Sequence, residues 1–157
     1  MSKELVINSI SGEVEIALLE KGQLVELHRD QGSTGYAVGD IFLGRVRKVL
    51  PSLNAAFVDV GHERDAFLHY LDLGPHYRTQ QHYVKRVMQG KEPVVNLGNF
   101  KKEAEIDKRG KIKDEVSSSQ LVLVQVAKEP ISSKGPRLTA EVTLPGRYLV
   151  LVPFSDR

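Results

Sequence analysis

The stretch Ala55-Ala56-Phe57-Val58-Asp59-Val60-Gly61-His62-Glu63-Arg64-Asp65-Ala66-Phe67-Leu68-His69 decides how this chain is read. Two short alternating runs flank a polar turn, the pattern of a β-hairpin. In the first run Ala56, Val58 and Val60 share one parity and leave Phe57 with Asp59; in the second, Ala66 and Leu68 leave Phe67 with Asp65 and His69. Side chains alternate across a strand, so both phenylalanines are expected on the polar face. Two explanations fit an outward pair of rings. They stack on nucleobases, at about 1–3 kcal/mol per base, or a later part of the chain folds over them as a satellite core.

Working outward, residues 38–50 form a long strand candidate in which parity shifts at Gly44, as at a bulge or a barrel corner. Pro51-Ser52-Leu53-Asn54 breaks it. Strand character returns at 121–127 and 138–143, and 148–152 is apolar on both parities, which implies cover on both faces. Between them, residues 72–118 hold seventeen charged side chains punctuated by glycine. Only 81–89 has a helical pattern, so this segment reads as a long, partly mobile insertion. Upstream, Val14, Ile16 and Leu18 alternate with Glu13 and Glu15, Glu20-Lys21-Gly22-Gln23 makes a turn, and Leu24-Val25-Glu26-Leu27 returns. Leu5-Val6-Ile7 starts the same sheet, and 30–35 is a loop that separates this sheet from the strand candidate at 38–50. Five short strands between Val38 and Thr143, with one long connection, suit a small closed barrel of the OB type in a mainly β chain. Residues 1–36 and 144–157 then flank it, too few to stand alone, and the chain is expected to be the front part of a longer one.

The 157 residues are 41% hydrophobic and 27% charged, an ordinary globular balance. With no cysteine, disulfides, thiolate zinc sites and cysteine nucleophiles are excluded within these residues, which fits a reducing, cytoplasmic setting. No apolar run approaches the ~20 residues that span a bilayer, and the N-terminus lacks an export signal. Net charge is only +2, but residues 1–36 carry −3 and the basic excess lies entirely after residue 71. The cations that could meet phosphates near the hairpin are Arg45, Arg47, Lys48, Arg64, Lys128, Lys134 and Arg137. Lys128 and Lys134 stand out because their Gly- and Pro-rich turn lies at a barrel mouth. Catalytic signals are weak. The five histidines show no i, i+4 metal spacing, and there is neither a phosphate loop nor a nucleophile elbow. Asp59, Glu63 and Asp65 read as a solvated hairpin end.

The residues carry a resemblance. Val38-Gly39-Asp40-Ile41, Gly44-Arg45-Val46, Ala56-Phe57-Val58-Asp59-Val60-Gly61 and Ala66-Phe67-Leu68-His69 resemble the S-one RNA-binding domain, an OB-fold. More narrowly, 51–61, Leu5-Val6-Ile7-Asn8, Gly135-Pro136-Arg137-Leu138-Thr139 and Tyr148-Leu149-Val150-Leu151-Val152-Pro153 are similar to the N-terminal part of the ribonuclease E/G family. That resemblance implies a barrel inserted in an RNase H-like subdomain, clamping single-stranded RNA for a magnesium-dependent endoribonuclease of RNA processing and decay. Phe57, Phe67 and Lys134 match the family's RNA-contacting positions, with Lys128 beside them; Arg45 and Arg64 complete the expected RNA-binding set. No catalytic or metal residue is expected in this chain. The magnesium ligands, a structural zinc link and any homo-oligomer belong to the full-length protein. Two departures stand out: Ala66 occupies a position that is usually glycine, and 72–118 is long for the family. Rival readings are a stand-alone, non-catalytic S-one RNA-binding protein of translation or RNA-chaperone type, and an OB module that binds a protein through its insertion.

Overall fold

The computed structural model describes residues 2–10, 13–31, 36–90 and 100–155. The chain divides into two compact units, 1–35 and 36–157. The first is an antiparallel meander of β1 (Lys3–Ile10), β2 (Glu13–Glu20) and β3 (Gln23–Gln31), in that order. Lys21 and Gly22 join β2 to β3 with φ of 51° and 75°. Two consecutive positive φ values make the primed turn whose twist matches that of the paired strands. Glu15 faces Arg29 in register and bonds it at 2.8 Å, while Lys3 reaches Glu20 at 2.6 Å.

In the second unit β4 (Ile41–Leu50), β5 (Ala55–Asp59), β6 (Ala66–His69), β7 (Leu121–Lys128) and β8 (Arg137–Thr139) close into a five-stranded barrel of order β4-β5-β6-β8-β7. The β6–β8 pairing is parallel and the others are antiparallel, consistent with an OB-fold. Alternation fills the interior with Val46, Ala56, Val58, Ala66, Leu68, Val122, Val124, Val126 and Leu138, all at most 1% exposed. So narrow a barrel needs small residues where strands converge, and Ala56 and Ala66 supply them. Gly44 serves close approach rather than a bulge. A Cβ there would meet Val58 and Val60, whereas the register shift expected at Gly44 falls between Val46 and Lys48.

The connection after β6 is more ordered than its composition suggests. Helix α1 runs from Tyr77 to Met88, four residues earlier than the periodic stretch begins, and a one-turn α2 spans Ile112–Glu115. The first turn of α1, Tyr77-Arg78-Thr79-Gln80, is polar and lacks a side-chain cap, so no sequence signal marks it. Leu73, Tyr77, Ile112 and Val116 join the barrel core, which explains why this charged segment does not float free. Asn54, in the left-handed region at φ 49°, ties it down: its Oδ1 accepts the Ile112 N–H at 2.6 Å and its Nδ2 donates to the Gly110 carbonyl at 3.2 Å. Residues 91–99 of this segment lie outside those described. Past the barrel, the strand expected over 138–143 is only Arg137–Thr139, and 148–152 contributes Val150–Leu151 (β10), paired with Leu144–Pro145 (β9). The first ends where the Asp72 carbonyl accepts the Ala140 N–H at 2.8 Å and the Thr139 hydroxyl at 2.9 Å; beyond it, the buried Gln125 amide bonds the Thr143 N–H and carbonyl, each at 2.9 Å, and the Gly39 carbonyl at 2.9 Å. No helix among the described residues is long and apolar enough to cross a membrane.

Candidate nucleic-acid interface

The parity argument holds on the barrel wall. Ala56, Val58, Ala66 and Leu68 are fully buried, while Phe57, Asp59, Phe67 and His69 on the opposite face are partly exposed. Phe57 and Phe67 are cross-strand partners, their ring centroids 6.0 Å apart with planes at 68°, an edge-to-face pair. The rings line a cleft of about 650 Å³ together with Arg64, Asp65, Lys128, Glu129, Ile131, Ser133, Lys134, Gly135 and Arg137. That volume falls within the ~300–1,000 Å³ typical of ligand pockets. No residue of 72–118 lines it, so among the described residues the insertion does not cover the rings.

The cations reach this cleft through irregularities in the sheet. Strict alternation after Val122, Val124 and Val126 would aim Lys128 into the core; a register shift between Val126 and Lys128 turns it out instead. The shift between Val46 and Lys48 likewise turns Lys48 outward, but Lys48 does not line the cleft. Lys134 sits on the β7–β8 turn, whose Ile131 carbonyl accepts the Lys134 N–H at 3.0 Å. Gly135 seats that turn on the preceding hairpin: a Cβ there would collide with the Asp65 carbonyl oxygen and approach that of Arg64 to 2.9 Å. One residue on, the Pro136 carbonyl accepts the Phe67 N–H at 2.9 Å, so the turn and the ring-bearing strand are held together.

Charge in the cleft is mixed. Among the described residues no ion pair occupies Arg64, Lys128 or Lys134, whereas Arg137 is spent on Asp72 through Nε at 3.0 Å and Nη2 at 2.9 Å. Five of the six expected RNA-binding residues, Phe57, Phe67, Lys134, Lys128 and Arg64, therefore share one cleft. Arg45 does not line it. Arg45 donates to the Ser119 carbonyl at 3.3 Å and pairs in register with Asp59 on β5 and Leu121 on β7, seven residues along β7 from Lys128, so it lies at the far end of the strands. Asp59 is held by the Gly61 N–H at 2.9 Å and by Arg47 at 2.6 Å, and these bonds keep its carboxyl below the ordinary range. Sequence reasoning passes over Ile131, Ser133 and Glu129, and reads Asp65 as part of a solvated hairpin end although it lines the cleft. The Gly- and Pro-rich turn is the available signal, but it points to the lysines alone.

Among the described residues no cluster of three or more histidine, aspartate or glutamate side chains could hold a metal ion. No family model matches the chain. Individual relatives do. Ribonuclease G of Salmonella typhimurium and ribonuclease G of Escherichia coli are each 37% identical over 156 residues, which is 99% of this chain and 28% of the relative. Ribonuclease E of Synechocystis sp. is 40% identical over 140 residues, 88% of this chain and 16% of that protein. The chain thus spans little more than a quarter of the ribonuclease G relatives, and over almost its whole length it is homologous to proteins of the ribonuclease E/G family.

Proposed function

We propose that the second unit captures single-stranded RNA for a ribonuclease E/G-type endoribonuclease of RNA processing and decay. The observation that carries this is the convergence of Phe57 and Phe67 in one cleft with Arg64, Lys128 and Lys134, three cations in no ion pair among the described residues. Rings facing outward from a barrel offer a π-face that any base can use, and cations beside them neutralise phosphates without choosing a sequence. An unpaired strand suits this arrangement, because a base inside a duplex has both faces already occupied. Residues 1–36 and 144–157 would contribute to the adjoining RNase H-like subdomain.

Hydrolysis is not assigned to these residues. With no cysteine and no metal-holding cluster among the described residues, nothing here fits the magnesium or zinc that the family resemblance implies. The part of the family's proteins that this chain does not span would supply them, along with any homo-oligomer, in the cytoplasm. The function of these residues is positioning: holding the strand so that its scissile phosphate reaches chemistry elsewhere.

Fluorescence anisotropy with a labelled, unstructured RNA oligomer and its duplex, over a series of salt concentrations, tests this. The single strand should bind more tightly. Its log affinity should fall with log salt at a slope near −2, from three phosphate contacts at about 0.7 each. Equal affinity for the duplex, or binding indifferent to salt, would refute it.

A further inference from the structure

The β7–β8 turn displays one large apolar side chain, Ile131, which is 70% exposed. A lone exposed isoleucine means little in itself. Its position gives it meaning, since Ile131 lines the same cleft as Phe57 and Phe67, from the loop side.

The turn does not leave that side chain to chance. Ile131 and Lys134 form a backbone bridge, Ser132 between them takes a left-handed φ of 53°, and Gly135 rests against Asp65. A β-branched side chain on such a frame has few rotamers to lose on meeting a ligand. The two rings, meanwhile, cannot clamp a flat group from both sides: at 68° they present a face and an edge, not parallel plates. A base seated on them turns its far face toward the loop. Of the turn residues that line the cleft, Glu129, Ile131, Ser133, Lys134 and Gly135, only Ile131 carries a large apolar side chain to receive it.

We propose that Ile131 is the third wall of the base-binding site, closing over the free face of an unpaired nucleobase held by Phe57 and Phe67. The site is then a slot instead of an open shelf. It admits only a base whose two faces are both free, so it discriminates against stacked and paired bases by shape. This rests on the RNA-binding reading above and adds a specificity-determining residue to it.

The chain contains no tryptophan and five tyrosines, so Ile131→Trp creates a single tryptophan at the proposed wall, which can be excited selectively at 295 nm. On titration with an unstructured RNA oligomer, its emission should be strongly quenched and its affinity at least equal to the native chain's. Ile131→Ser should weaken binding about 3- to 10-fold through lost apolar contact, with an unchanged melting temperature because the side chain is exposed. Phe57→Ala, measured alongside, separates the two ideas. If Phe57→Ala weakens binding while Ile131→Ser does not and the tryptophan is not quenched, the third wall is wrong and the RNA site stands. If neither variant weakens binding, the site itself is misplaced and the wall falls with it.

Discussion

Replacing Phe57 with alanine separates a binding surface from a core. Phe57 lies on the outer face of β5, partly exposed, and its ring contact is the edge-to-face one with Phe67 at 6.0 Å. Truncation opens no sealed cavity, but the folded state loses the aromatic pair, worth about 0.5–1.5 kcal/mol beyond the area it buries, and about 1–2 kcal/mol of apolar burial from a ring that is more covered than exposed. For a domain of this size, 1 kcal/mol moves the melting temperature by about 2–4 °C. Binding should fall by a comparable amount. A base deprived of its stacking partner loses about 1–3 kcal/mol, a 5- to 150-fold drop in affinity for single-stranded RNA. Anisotropy at fixed salt, with differential scanning calorimetry on the same preparation, reads both quantities. A fall of ten degrees or more with RNA affinity intact would mean that Phe57 is structural and would refute the argument.

Three other outcomes are expected from the geometry. Asn54→Ala leaves the Ile112 N–H unpaired and places a Cβ-bearing residue without local hydrogen bonding at φ 49°; it should cost about 2–4 kcal/mol in urea unfolding, and a change under 0.5 kcal/mol would contradict the anchoring role. Gly135→Ala forces the β7–β8 turn off the Asp65 backbone, so RNA affinity and stability should fall together, and unchanged values of both would show that the close approach is dispensable. Asp59, whose carboxyl is held low by the Gly61 N–H and Arg47, contributes stability that is present above the ordinary carboxylate value of about 4 and is lost as pH falls below it. Asp59→Asn should flatten the melting temperature between about pH 5 and pH 3, and a profile parallel to the native one would refute that assignment.

The barrel is legible because period-2 alternation is written plainly in Ala56/Val58, Ala66/Leu68 and Val122/Val124/Val126, and closure comes from five such runs. Which way Phe57 and Phe67 face can be read from the same pattern. The bulges cannot: each adds one residue to one strand of a pair, and Lys48 and Lys128 show their reversal only when the partner strand is known. The insertion misleads because its seventeen charges surround Leu73, Tyr77, Ile112 and Val116, two i, i+4 pairs that lie 35 positions apart, and neither pair alone makes a periodic run. Its anchor, Asn54, makes contacts 56 and 58 residues away, which no local signal can announce. Proximity to the hairpin groups Arg45 with the RNA-binding cations, but its register opposite Leu121, at the other end of β7 from Lys128, puts it elsewhere.

Backbone amide chemical-shift mapping of the ¹⁵N-labelled chain, titrated with an unlabelled RNA oligomer, puts the central claim at most direct risk. Shifts are predicted to concentrate on Phe57, Arg64, Phe67 and residues 128–137. If they instead cluster on α1 and the rest of the insertion, with the cleft silent, the cleft is not where this chain holds RNA.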